Sequence, residues 1–395
     1  MLRGMAMAKK TAVPKSANQK SRSTPKQAAS AASTSSSKPV SRSPQGHNLN
    51  IDVRYMTDFL VGLLKTPSPT GYTEEAINYV HSVMADLRLD TRLNNKGALV
   101  ASWKGKASNR PRAMTAHVDT LGAMVKEIDP ATGRLVLTRI GGVSWTSVET
   151  EGCTVITSSG KKVRGTIMSR KASVHIHGRD VVDGQKRDDD GMWVRLDART
   201  SSGDETRVLG IEVGDFVAFD PRVEVTESGF IRSRHLDDKA GVACIVGAVK
   251  ALVDAGLQPG QRVTILISNY EEVGHGASAG IPSDVKDLLT VDMAAVGPGQ
   301  TSDEFSVGIC VKDSGGPYHI EMRRRMVTLA EGAGIPYKLD VYPFYGSDGE
   351  AAWRAGADMT VGLIGPGVEA SHSYERTHKD SLAATARLIA EFMLS

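Results

Sequence analysis

The sequence predicts an α/β domain interrupted by an all-β one, and three observations carry that expectation. Strand and helix patterns alternate on both sides of residues 121–229. Between those flanks, short alternating runs (RLVLTRI, CTVITS, KVRGTIM, FVAFDPRVEV) are separated by Gly, Asp and Ser turns, with no helical periodicity. The chain of 395 residues also exceeds the roughly 250–300 residues that one hydrophobic core usually organises. The expected division is a basic tail over 1–50, an α/β domain built from 51–120 and 230–395, and an inserted β domain, barrel- or sandwich-like, over 121–229.

The tail carries six lysines and three arginines and no acid, so subtracting its +9 from the net +3 leaves the remainder at −6. The folded part is therefore mildly acidic, and overall basicity gives no ground for a nucleic-acid partner. Rich in Ser, Ala, Lys and Pro, the tail cannot bury enough apolar surface to offset its ordering entropy and reads as disordered. It lacks the apolar stretch of a secretory signal. Its composition overlaps with organelle transit peptides, but a solubilising or tethering extension is the preferred reading. No run of about 18 apolar residues predicts a membrane span. Three widely spaced cysteines (Cys153, Cys244, Cys310) without CxxC spacing point to a reducing, cytoplasmic setting and away from a cysteine metal site.

Each α/β element has its own signal. Tyr72–Leu87 places Ala76, Ile77, Val80, Met84 and Leu87 at helical spacing after the turn-rich PSPTG. Residues 97–104 and 112–117 read as strands. Lys239–Ala255 is a helix with Val242, Ile245, Val246, Val249 and Leu252 on one face and Gly256 beyond its end; Cys244 lies on its packed path. Val263–Asn269, Leu288–Ala294 and Thr360–Ile364 are buried-type strands, and Ser381–Leu394 is a closing helix. Polar loops are expected over 179–190 and 200–207, and His175 and His177 read as alternating on a strand at a subunit surface.

Chemistry-bearing residues gather at the ends of these strands, where α/β sheets place ligand sites. His117 and Asp119, two apart on an extended segment, can put an imidazole on a metal with a carboxylate orienting it from behind. The adjacent acids of HLDDKAG open a helix, where they could cap it or set one carboxylate between two cations. Glu271 and Glu272 emerge together from an apolar strand; one on metal and one as general base would relieve their repulsion. Asp292 interrupts another apolar strand and needs a partner. One His, a shared Asp, a Glu and an Asp are the donors that two zinc ions about 3.5–4 Å apart require. A last histidine would come from SHSYERTH, as His372 or His378. His235 and His275 flank the motifs and are expected near the cleft.

The ordered series PSPTG, AHVDTLGAMV, HLDDKAGV, YEEVGHGA, VDMA, GSDGEAA and SHSYERTH resembles the tetrahedral, glutamyl-type aminopeptidase family of co-catalytic metallopeptidases, over roughly residues 55–395. More narrowly, SHSYERTH resembles a bacterial subgroup linked to the osmoprotectant N-acetylglutaminylglutamine amide. The resemblance implies a doubly wound, mixed-sheet catalytic domain of the di-zinc exopeptidase type with an inserted β domain that dimerises. It makes His117 a ligand oriented by Asp119, and Asp237 the bridge between two metals, with a cis peptide to Asp238. Glu271 becomes the general base, Glu272 and Asp292 ligands, and His372, ahead of His378, the last ligand. It also implies a substrate loop at Gly346, Ser347 and Asp348, two divalent ions (zinc first, cobalt or manganese as alternatives) and a homo-oligomer, either dimeric or dodecameric.

The activity so implied is hydrolysis of small peptides by a metal-activated water. Two alternatives are a deacylase, carboxypeptidase or amidase acting on an N-acylated dipeptide, and a non-catalytic scaffold that keeps the fold. Low aromatic content (5%), with no clustered tryptophans for sugar stacking, argues against a cellulase reading.

Overall fold

The computed structural model describes His47 and residues 49–395. The rest of the expected tail lies outside the described residues. Its final residues depart from the expectation of disorder. Leu49 is buried in the main core, and the His47 amide donates at 2.7 Å to Glu391, a buried carboxylate of the closing helix.

A twelve-stranded mixed sheet organises the α/β part. Ala107–His117, Gln261–Ser268, Asp287–Val291 and the first half of Thr360–Glu369 run parallel at its centre. Leu99–Trp103 pairs antiparallel on one flank. Strand alternation divides the interior in two. Met114, Leu289, Val291 and Ile364 face a core shared with the helices Val53–Leu64, Glu74–Asp86, Leu236–Asp254 and Lys379–Leu394. Ala113, Leu288 and Leu363 face a second core with Tyr318, Tyr342 and Ala352. Successive side chains on opposite faces, both covered, produce the doubly wound architecture.

The inserted segment closes on itself. Gly122–Ile128, Leu135–Ile140, Met192–Leu196, Lys162–Ser169, Gly152–Ile156 and Phe216–Phe219 form a six-stranded antiparallel barrel in that order. Its interior is a separate cluster of Ala123, Val125, Leu137, Val155, Ile167 and Val217 among others. Three short helices, Val174–His177, Arg179–Gly184 and Gly203–Val208, correct the expectation of an insert without helix. His175 and His177 accordingly sit on a single exposed turn rather than alternating on a strand; Gly178, at φ 79°, stops that turn. Among the described residues no helix is long and apolar enough to cross a membrane.

Candidate metal centre

The sheet's carboxyl edge gathers the expected ligands. His117 ends its strand opposite Ser268, whose strand then delivers Glu271 and Glu272 on a one-turn 3-10 helix. Asp292 follows Asp287–Val291 directly. Asp237 sits just past the strand Phe230–Ser233, at ψ 106°, before regular helical dihedrals begin. The peptide bond from Asp237 to Asp238 is cis. His372, at φ 63°, lies on the turn after Thr360–Glu369.

Two triads result, each with ligand atoms within 4.8 Å of one another: His117, Asp237 and Asp292, and Asp237, Glu272 and His372. Asp237 belongs to both. Its Oδ1 lies 3.4 Å from His117 Nε2 and its Oδ2 lies 3.5 Å from His372 Nε2. His372 Nε2 is also 3.5 Å from Glu272 Oε2. Glu271 Oε2 stands 3.7 Å from His117 Nε2 and belongs to neither triad. His378 is elsewhere: it caps the closing helix through Asp380 N–H and sets Nε2 2.8 Å from Ser228 O.

Asp119 holds more than one partner. His117 Nδ1 is 3.0 Å from the backbone oxygen of Asp119 and 3.5 Å from its Oδ1. The same carboxylate accepts the amides of Glu271 and Glu272, at 3.1 and 3.3 Å, and the Thr70 hydroxyl at 2.7 Å. It therefore fixes the turn that presents both glutamates as well as the imidazole. Asp238 turns away from the triads, accepting from the amides of His117 and Gly241. Its role is the backbone-capping one available to paired acids at a helix start.

The electrostatics call for positive charge. Burial, added to by Asp237, pushes Glu272 up to about 8 and Asp292 up to about 7. Burial likewise raises Glu271 well above the usual carboxylate range. Asp237, despite its burial, is held below that range by His117 and His372. His117 Nε2 is buried without a hydrogen-bond partner. Buried carboxylates and an orphaned imidazole nitrogen are costly unless cations compensate them. The nitrogen and oxygen donors suit zinc or a similar divalent ion, and the two triads could each hold one.

Asp237, Glu271, Glu272, Asp292 and His372 border a cleft of about 540 Å³, whose other wall includes Phe344, Tyr345, Gly346 and Ser347. Asp348 departs from its expected place on that wall. It is 2% exposed and accepts from Thr115, Ser268 and the Ala277 amide, so three internal donors direct it away from the cleft. His275 stacks on Tyr270 and His235 is buried; neither lines the cleft. Sequence reasoning missed Thr70 and Glu375; the Glu375 carboxylate accepts from the amides of Asp237 and His372. The sequence signal for Glu375 was an acid alternating with Thr377 on a short strand.

The model of the M42 glutamyl aminopeptidase family matches residues 97–388. The chain belongs to that family. A Bacillus subtilis (strain 168) protein named "Putative aminopeptidase YhfE" is 48% identical over 343 residues, covering 87% of this chain and 98% of that protein. Among solved structures, the TET aminopeptidase of a marine-sediment Thaumarchaeota archaeon superposes with a TM-score of 0.78 at 20% identity, covering 87% of this chain and 96% of its own. The Pyrococcus horikoshii TET1 peptidase, which can assemble into a tetrahedron or a large octahedral shell, gives a TM-score of 0.75 at 22% identity, covering 86% and 99%. Both likenesses concern the fold alone. As an M42 member the chain is an enzyme, a hydrolase of the aminopeptidase type.

Proposed function

We propose that this chain is a metal-dependent aminopeptidase that cleaves small peptides at a two-ion centre. The observation that carries the proposal is Asp237, whose two carboxylate oxygens face two different histidines at 3.4 and 3.5 Å. In this reading His117 and Asp292 would hold one ion, Glu272 and His372 the other, and Asp237 would contribute to both. Bound there, two divalent ions supply Lewis acidity toward the scissile carbonyl and the attacking water. Zinc is the first candidate, with cobalt or manganese as alternatives.

Glu271 does the proton work. Its amide is tied to Asp119 while its carboxylate remains outside both triads and borders the cleft. It takes the proton of the attacking water and returns it to the leaving amine. Gly346 and Ser347 line the substrate side of the cleft. The enzyme works as a homo-oligomer, a dimer or a dodecamer, with the inserted barrel in the interface, and in the cytoplasm; the three free, buried cysteines agree with that compartment.

Glu271→Gln tests the assignment. The variant should keep two equivalents of metal and lose turnover by about 10²–10⁴-fold. Metal content by mass spectrometry and hydrolysis of aminoacyl and N-acetylated dipeptide amides are the readouts. Retained turnover would remove Glu271 from the proton path, and preference for the acetylated substrates would point to a deacylase instead.

A further inference from the structure

One buried carboxylate beside the centre has no part in the scheme above. Glu375 is 2% exposed and opens the strand Glu375–His378, opposite Ser233. It is absent from the lining of the 540 Å³ cleft. Its two oxygens serve two backbone amides: Oε2 accepts from Asp237 N–H at 3.2 Å, and Oε1 from His372 N–H at 3.0 Å.

Both amides belong to residues whose backbone is not dictated by regular structure. His372 is left-handed, at φ 63°, a conformation a non-glycine residue keeps only where its surroundings hold it. Asp237 sits at a non-helical ψ of 106°. Their side chains meet at 3.5 Å across the second triad. A single carboxylate thus ties together the main chains of two residues, distant in sequence, whose side chains must share an ion.

We propose that Glu375 is a positioning residue that fixes the spacing of Asp237 and His372, a step that rests on the metal-centre reading above. The task suits a carboxylate specifically. Each oxygen meets one N–H donor, whereas a glutamine would offer one oxygen and turn an NH2 group toward the other amide. Glu375→Gln is therefore disruptive despite matching size.

The test is zinc titration of the metal-free, full-length protein against a chelating indicator, with cobalt absorption as a second readout. The wild-type protein should take up two equivalents. Glu375→Gln should bind one of them about 10–100-fold more weakly, with an altered cobalt spectrum. The metal-free variant should also lose some stability, because one amide of the pair loses its acceptor, so the affinity is read on the folded fraction. Unchanged affinity for both equivalents with an unchanged cobalt spectrum overturns the proposal. So does a fall in metal-free stability with full affinity in the folded fraction, which would make Glu375 a folding residue only. If Glu375→Gln does not fold, Glu375→Asp keeps both oxygens one methylene short and carries the same two outcomes. A wild-type protein that bound no metal would instead remove the metal-centre reading itself.

Discussion

Asp348→Ala removes a carboxylate that accepts from Thr115 Oγ1 at 2.9 Å, from the Ala277 amide at 2.8 Å and from Ser268 Oγ. The two hydroxyls can rotate toward other acceptors, but the Ala277 N–H cannot. A buried donor left unsatisfied costs about 1–3 kcal/mol. Against that loss stands the relief of a carboxyl whose pKa is raised by its burial. The net expectation is destabilisation of about 1–2 kcal/mol. Ser268 and Ala277 bracket the turn carrying Glu271 and Glu272, so loosening them should lower kcat while leaving KM little changed. Urea unfolding at constant m-value measures the first effect, and steady-state kinetics well below the melting temperature measure the second. An unchanged midpoint with KM raised about tenfold, equivalent to about 1.4 kcal/mol of lost binding, would show that Asp348 touches substrate after all and refute the geometry argued here.

Two further outcomes are expected. Burial and the hydrogen bond to Asp313 push Glu350 up to about 7, with Arg354 opposing them at 3.3 Å. A carboxyl with a raised folded pKa favours the folded chain at low pH. That contribution is lost as pH rises from its ordinary 4.5 through about 7, so Glu350→Gln should raise the unfolding midpoint above that range and change it little below. A gain of equal size at both pH values would count against the titration. Stripping metal with a chelator should lower the melting temperature, because ions at 100 times their Kd stabilise the folded state by about 2.7 kcal/mol. An identical melting curve after verified metal loss would mean that the triads are not coupled to folding.

How much of this was legible depended on whether a signal was local. His117 and Asp292 stood out because each interrupts or ends an apolar strand, and periodicity alone puts such a residue at the carboxyl edge of the sheet. The adjacent acids Asp237 and Asp238 could not be told apart by pattern. Their roles diverge through backbone direction, which turns one toward the histidines and the other toward the amides of His117 and Gly241. His372 and His378 share one motif, and what separates them is a chain reversal in which Ala370 and His372 both adopt positive φ. The barrel was legible as alternation but not as closure. Closure depends on Val217 pairing with Ala123 on one side and Val155 on the other, a coincidence of distant registers. The segment VHIH shows the opposite failure, since four residues satisfy a strand alternation and a helical turn equally well, and the exposed surface and Gly178 decide for the turn.

Glu375 marks the boundary of what pattern can reach. Its function concerns main-chain amides, which every residue other than proline carries, so its partners leave no trace in side-chain identity. The five proposed ligands stood out because such side chains are unusual at buried strand ends. The groups that hold those side chains in register, Asp119 on the Glu271–Glu272 turn and Glu375 on Asp237 and His372, act on backbone and become visible only once the chain is folded. The proposed centre would therefore be specified twice, once by its donors and once by carboxylates that hold the donors' backbone, and the second specification would decide whether the donors arrive at a shared spacing.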